Sequence, residues 1–96
     1  MKMYSKNSKR MAKYKILIKE SAIKELEDVP KKSLKQIIQR IESLAINPRP
    51  KDSQKLSAQE RYRIHQGDYR IIYSIQDDQA TVHVYKIGHR REVYRS

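Results

Sequence analysis

The apolar residues of this 96-residue chain change their spacing partway along, and that change restricts the fold more than any single residue does. After Pro30 they recur three and four residues apart, at Leu34, Ile37, Ile38, Ile41, Leu44 and Ala45, while Lys31, Lys32, Lys35, Gln39 and Glu42 fall elsewhere. This is the repeat of an amphipathic helix with one side turned to a core. From Tyr62 onward alternate residues are apolar: Tyr62 and Ile64, then Tyr69, Ile71, Tyr73 and Ile75, then Val82 and Val84, with the run ending at Ile87. A period of two belongs to strands buried on one face. A chain written in both periods sets helices against one side of a sheet.

The remaining punctuation fills in the order. Gln66-Gly67-Asp68 and Gln76-Asp77-Asp78-Gln79 interrupt the alternation and predict turns, which makes the C-terminal half a three-strand antiparallel meander. Upstream, "YKILIK" at 14–19 predicts a strand, and Ile23, Leu26 and Val29 predict a first helix from about Ser21. Pro30 suits the first turn of the next helix, where its missing amide hydrogen would have had no acceptor. Asn47 and Pro48 stop that helix, 47–54 reads as a polar loop, and Gly88 frees the backbone after the last strand. The expected class is α+β: an N-terminal strand joining the sheet, a two-helix hairpin, and the meander packed on the helices.

Composition narrows the function. The chain has the length of one domain, taken as 14–96, preceded by a flexible basic arm at 1–13 that carries Lys2, Lys6, Lys9, Arg10 and Lys13 and no acid. Twenty-two Lys and Arg against 11 Asp and Glu give a net charge of +11, which favours polyanionic partners, nucleic acid first and an acidic protein second. No stretch is long and apolar enough to span a membrane, and the absence of cysteine excludes a disulfide frame, so a cytoplasmic protein is expected. With three scattered histidines and only Gly67 and Gly88, neither a zinc site nor a glycine-rich phosphate loop is expected, and no cofactor is called for.

If Ile64, Ile71, Tyr73, Val82 and Val84 face the helices, then Arg63, His65, Arg70 and Ile72 face the other way, where no helix remains to cover them. Two guanidiniums there form a clamp for phosphate oxygens. An imidazole between them titrates near neutrality, and neighbouring cations favour its neutral, proton-accepting form. The basic tail "GHRREVYR" at 88–95 offers Arg90 or Arg91 to the same phosphate and Tyr94 to a base. RNA brings its own nucleophile in the 2′-hydroxyl, so a base, cations for the crowded phosphorus and a donor at the leaving oxygen complete a cleavage site without metal. Each residue also has a plain alternative: Arg63, His65, Arg70, His83 and His89 as solvated strand residues, Tyr69 and Tyr73 as core, and Tyr94 as a pin for the C-terminus.

From about Tyr14 to Arg95, through "KL" at Lys55 and Leu56 and most of all at "GDYRIIYSIQDDQATVHVYKIGHRREVYR", the chain resembles the RelE family of toxin–antitoxin ribonucleases, in the wider group that also holds ParE-type gyrase poisons. The resemblance implies a small RelE-like domain that cuts mRNA in the ribosomal A site by 2′-hydroxyl attack, is neutralised by an acidic RelB-like antitoxin, and joins it in a complex that binds operator DNA. It implies Arg63 and Arg70 on phosphate, His65 as general base, Arg90 at the leaving oxygen with Arg91 or His89 as alternatives, Tyr94 stacked on the nucleotide, and Lys55 and Arg91 as further phosphate contacts. His65 stands where some members have lysine. A gyrase-poisoning toxin and a non-catalytic RNA-binding protein are the competing readings.

Overall fold

The computed structural model describes residues 13–56 and 60–89. In chain order it contains β1 (Lys15–Ile18), α1 (Glu20–Glu27), α2 (Lys31–Ser43), β2 (Gln54–Leu56), β3 (Arg61–Gln66), β4 (Tyr69–Gln76), a 3-10 turn (Asp77–Gln79) and β5 (Thr81–His89). The strands form one five-stranded sheet in the order β1-β5-β4-β3-β2, antiparallel except for the parallel pair of β1 with β5. The strand, helix pair and meander read from the sequence are therefore present, and the N-terminal strand does join the sheet. Among the described residues no helix is long and apolar enough to cross a membrane.

Both helices lie on one face, α1 against β5 and α2 against β3. Between them and the sheet lie Ile16, Ile18, Ala22, Leu26, Ile37, Ile41, Leu44, Ile64, Ile71, Tyr73, Val82, Val84 and Ile87, all buried. β1, β3 and β4 give this layer alternate residues because successive side chains leave a strand on opposite sides, and β5 does so as far as Val84. Pro30 sits one place earlier than expected, at the N-cap of α2 with an extended ψ of 145°. Its ring fixes φ and so aims the chain into the helix from outside it.

Three features depart from the sequence reading. β2 lies inside the stretch expected to be loop; it is three residues long and polar at two of them, so it carries no readable alternation. β5 continues through Gly88 to His89 instead of ending at Ile87. It also contains a bulge: Tyr73 pairs with Val84 and Ile72 with Lys86, which leaves Tyr85 as an extra residue. Val84 and Ile87 are consequently both core residues, and Tyr85 and Lys86 both leave on the other face. The arm assigned to 1–13 lies outside the described residues apart from Lys13, whose amide donates to the Ala45 carbonyl at 2.9 Å.

The 47–53 segment is tied down at both ends of the sheet. The Tyr73 hydroxyl, fully buried, donates to the Pro48 carbonyl at 2.7 Å, and burial pushes its pKa up to about 12. Arg49 donates to both carboxylate oxygens of Asp77 at 3.3 and 2.8 Å and to the Tyr62 hydroxyl at 3.2 Å; Tyr14 adds a 2.7 Å bond to the same carboxylate. Arg49 first and Tyr14 second hold the Asp77 carboxyl below the usual range. This exposed cluster joins the start of β1, the loop after α2, β3 and the turn before β5.

Candidate functional site

The site is set by the tight hairpin between β3 and β4. Gly67, with φ of +60°, takes a backbone conformation that side-chain-bearing residues rarely adopt, and it begins a loop of only two residues, Gly67 and Asp68. The loop fixes the register: Gln66 opposite Tyr69, His65 opposite Arg70, Ile64 opposite Ile71 and Arg63 opposite Ile72. Because opposed residues share a face, burying Ile64 and Ile71 under the helices sends His65, Arg70, Arg63 and Ile72 to the open side.

There the residues are close. Directly opposed side chains start about 5 Å apart and diagonal neighbours about 7–8 Å apart, so His65, Arg70 and Arg63 share one patch. Their exposures differ. His65 is exposed, Arg63 half-buried, and Arg70 only 3% exposed, although it lies on the face that carries no helix. Arg70 is the central residue of its row, with His65 on β3 to one side and Gly88 on β5 to the other. Gly88 contributes no side chain to that row. Arg63 donates through Nη2 to Oε1 of Gln54 on β2, which draws its fork toward that edge.

The backbone under His65 is held from the helical side. Arg40 of α2 donates from Nε to the His65 carbonyl at 3.4 Å and pairs through Nη2 with Asp52, whose carboxyl it holds below the ordinary range. The imidazole thus projects from a strand anchored to α2 and to the loop that follows it.

Other candidates from the sequence are placed elsewhere. Lys55 is opposite Tyr62, a residue of the helical side, so it leaves the sheet away from Arg63; it is exposed and lies 3.6 Å from Glu60. Its neighbour Gln54, opposite Arg63, takes the β2 position on the open face. His89 is opposite Tyr69 and meets its ring edge-on at 5.7 Å, again on the side away from Arg70. Tyr73 is core and Tyr69 packs against it. Arg90, Arg91 and Tyr94 lie outside the described residues.

The open face also carries groups that the sequence reading did not single out. Arg61 shares the parity of Arg63 and His65, and its guanidinium carbon lies 4.2 Å from the centre of the Tyr85 ring. His83 stands beyond that ring at 6.2 Å with an interplanar angle of 24°. Lys86 is opposite Ile72 and therefore in one row with Arg63. Arg61 was visible as a third member of the alternating charges, whereas Tyr85 and Lys86 owe their side of the sheet to the bulge. Chemically, the face can seat a phosphodiester on guanidinium forks and present an accessible imidazole beside it.

Known proteins agree with this architecture. A family profile described as "ParE toxin of type II toxin-antitoxin system, parDE" matches residues 16–94. A protein of Methanocaldococcus jannaschii that carries the name toxin RelE1 is 32% identical over 88 residues, covering 88% of this chain and 98% of its own length. In the crystal structure of the archaeal RelE-RelB complex from Pyrococcus horikoshii OT3, the matching chain superposes with a TM-score of 0.74 at 27% identity, over 81% of this chain and 96% of its own. The RelB-RelE antitoxin-toxin complex from Methanococcus jannaschii gives a TM-score of 0.66 at 28% identity, over 82% and 95%.

Proposed function

This chain belongs to the RelE family of type II toxins, within the wider RelE/ParE group, and from that premise we propose that it is an endoribonuclease cutting mRNA in the ribosomal A site. The observation that carries the reading is the His65–Arg70 pair, opposed on the open face of the sheet with Arg63 diagonal to it. A neutral partner surface gives no reason for this grouping; a phosphodiester does.

In the proposed reaction Arg63 and Arg70 hold the scissile phosphate, and His65 accepts the proton of the neighbouring 2′-hydroxyl. The freed oxygen attacks phosphorus, the bond from phosphorus to the 5′ oxygen breaks, and a 2′,3′-cyclic phosphate and a 5′-hydroxyl result. The leaving oxygen takes up one proton as His65 gains one, so the step is balanced. Arg90 is assigned to that oxygen and Tyr94 to stacking on the nucleotide, following the family resemblance. The basic face carries no helix, and a reacting group on such a sheet face needs its substrate held for it, which supports dependence on the ribosome to position the message. The relatives from Pyrococcus horikoshii and Methanococcus jannaschii are complexes with RelB, and a RelB-like acidic antitoxin is the proposed partner here, the complex binding operator DNA.

The test is primer extension on ribosome-bound message with EDTA present. Cuts within A-site codons that vanish in His65→Ala and Arg70→Ala variants support the nuclease. A second reading, inhibition of DNA gyrase, has the ParE description of the matching profile in its favour. Intact message together with arrested supercoiling of plasmid DNA would establish that reading instead, and binding of RNA with neither effect would leave a non-catalytic binder.

A further inference from the structure

We propose that Arg61, Tyr85 and His83 form a stacking platform for a second nucleobase of the same single-stranded RNA whose phosphate is held at His65 and Arg70. The proposal rests on the reading of that face as an RNA site and extends it along the strand.

The platform is built from two strands. Arg61 leaves β3 on the open side and reaches across β4 until its guanidinium lies 4.2 Å from the centre of the Tyr85 ring on β5, close enough for a cation–π contact. His83, nearly coplanar in tilt with the same ring, continues the row at 6.2 Å. Ser74 on β4 donates its hydroxyl hydrogen to the Tyr85 oxygen at 3.4 Å, which tethers the far end of that side chain to the neighbouring strand. The His83 imidazole is in turn 3.2 Å from Oε1 of Gln76. Three flat groups, each only partly buried, are thereby held in sequence over the sheet.

The bulge in β5 is what makes this surface. In a regular strand either Tyr85 or Lys86 would point under the helices; the extra residue sends both to the open face. Lys86 then lies in the row of Arg63, with Ile72 between them, midway from the His65–Arg70 pair to the platform. From His65 to Arg61 is four residues of β3, about 13 Å. One phosphodiester cannot touch both ends, so the two ends serve different nucleotides, with Lys86 placed for the phosphate between. Aromatic and guanidinium planes accept any base, so the platform confers affinity and direction without reading sequence. The charged groups of the middle row, Arg63 and Lys86 on either side of Ile72, are both cations, which suits a polyanionic strand.

The test is fluorescence anisotropy of full-length toxin with labelled RNA oligonucleotides carrying 2′-O-methyl sugars, a dinucleotide and a hexanucleotide. Such strands bind but have no 2′-hydroxyl to attack, so the result is independent of whether the protein cleaves. The hexanucleotide is expected to bind more tightly than the dinucleotide. Tyr85→Ala is expected to weaken the hexanucleotide about tenfold, the usual worth of one stacked base, with the dinucleotide unchanged and Tyr85→Phe close to the parent. Arg70→Lys is expected to weaken both. Should Tyr85→Ala fail to fold by thermal melting, Tyr85→Leu and Arg61→Gln carry the same expectation. Equal affinity of parent and variants for the hexanucleotide, an equal Tyr85 effect on the dinucleotide, or no binding by the parent protein would overturn the proposal. Uncut message in the ribosome assay, with the Tyr85 dependence intact, would remove the nuclease and leave the platform standing.

Discussion

His65 and Arg70 stand directly opposite one another on β3 and β4, the first open to solvent and the second only 3% exposed. The difference in burial suits the two roles proposed for them. A guanidinium enclosed in the middle of a sheet has few rotamers to lose when it meets a phosphate, while an exposed imidazole is within reach of a substrate hydroxyl.

Replacing His65 by alanine is expected to lower cleavage of ribosome-bound message by roughly 10²-fold or more, the usual worth of a positioned base. Because the side chain is exposed, stability should change by no more than about 0.5 kcal/mol. Primer extension and thermal melting on the same preparation check both halves; unchanged cleavage would remove His65 from the chemistry.

Arg70→Lys retains the charge and removes the planar fork. Lysine offers a point charge where arginine offers paired hydrogen bonds, so cleavage should fall on the order of tenfold or more even if the variant melts like the parent. Single-turnover cleavage at saturating ribosome complex is the measurement, and full activity with lysine would show that only charge matters at this position.

Tyr73→Phe removes the donor that satisfies the Pro48 carbonyl in the core. The expected cost is about 1–3 kcal/mol, which for a chain of this size is a fall in Tm of several degrees at least. The same hydroxyl gives stability an alkaline limit. Its pKa is about 12 in the fold against about 10 in the unfolded chain, so its contribution is complete below pH 10 and is lost as pH rises toward 12. Chemical denaturation across that window should show the loss in the parent and a smaller one in Tyr73→Phe.

Ala80 has φ of 47° in the turn before β5, a left-handed conformation that costs a residue with a Cβ about 1–2 kcal/mol. Glycine relieves this but leaves a more flexible unfolded chain, a loss of about 0.5–1 kcal/mol. Ala80→Gly should therefore raise stability by up to about 1.5 kcal/mol, read as a higher midpoint in urea with an unchanged slope.

Much of this structure was legible because its helices and strands obey two clean periods. Leu34 to Leu44 announced α2, and the alternation from Tyr62 to Val84 announced which side of each strand is buried, hence the grouping of Arg63, His65 and Arg70. What escaped was whatever breaks a period. The step of three from Val84 to Ile87 was the trace of the bulge, and reading it as simple alternation hid the placement of Tyr85 and Lys86. The side of the sheet on which Lys55 lies was hidden for a related reason: without a visible strand at Gln54–Leu56 there was no parity by which to assign its face. The burial of Arg70 was not readable at all, because a charged residue on a helix-free face gives no sequence sign of being enclosed.

The two-residue link at Gly67 and Asp68 has a bearing on how such a molecule can diverge. It has no slack, and one step of slippage between the strands it joins would hand the isoleucines to solvent and the cations to the interior. Side chains on the open face are therefore exchangeable, imidazole for another group or one cation for another, at fixed odd and even positions. The chemistry of that face can drift by substitution while the counting that separates it from the oily side stays frozen.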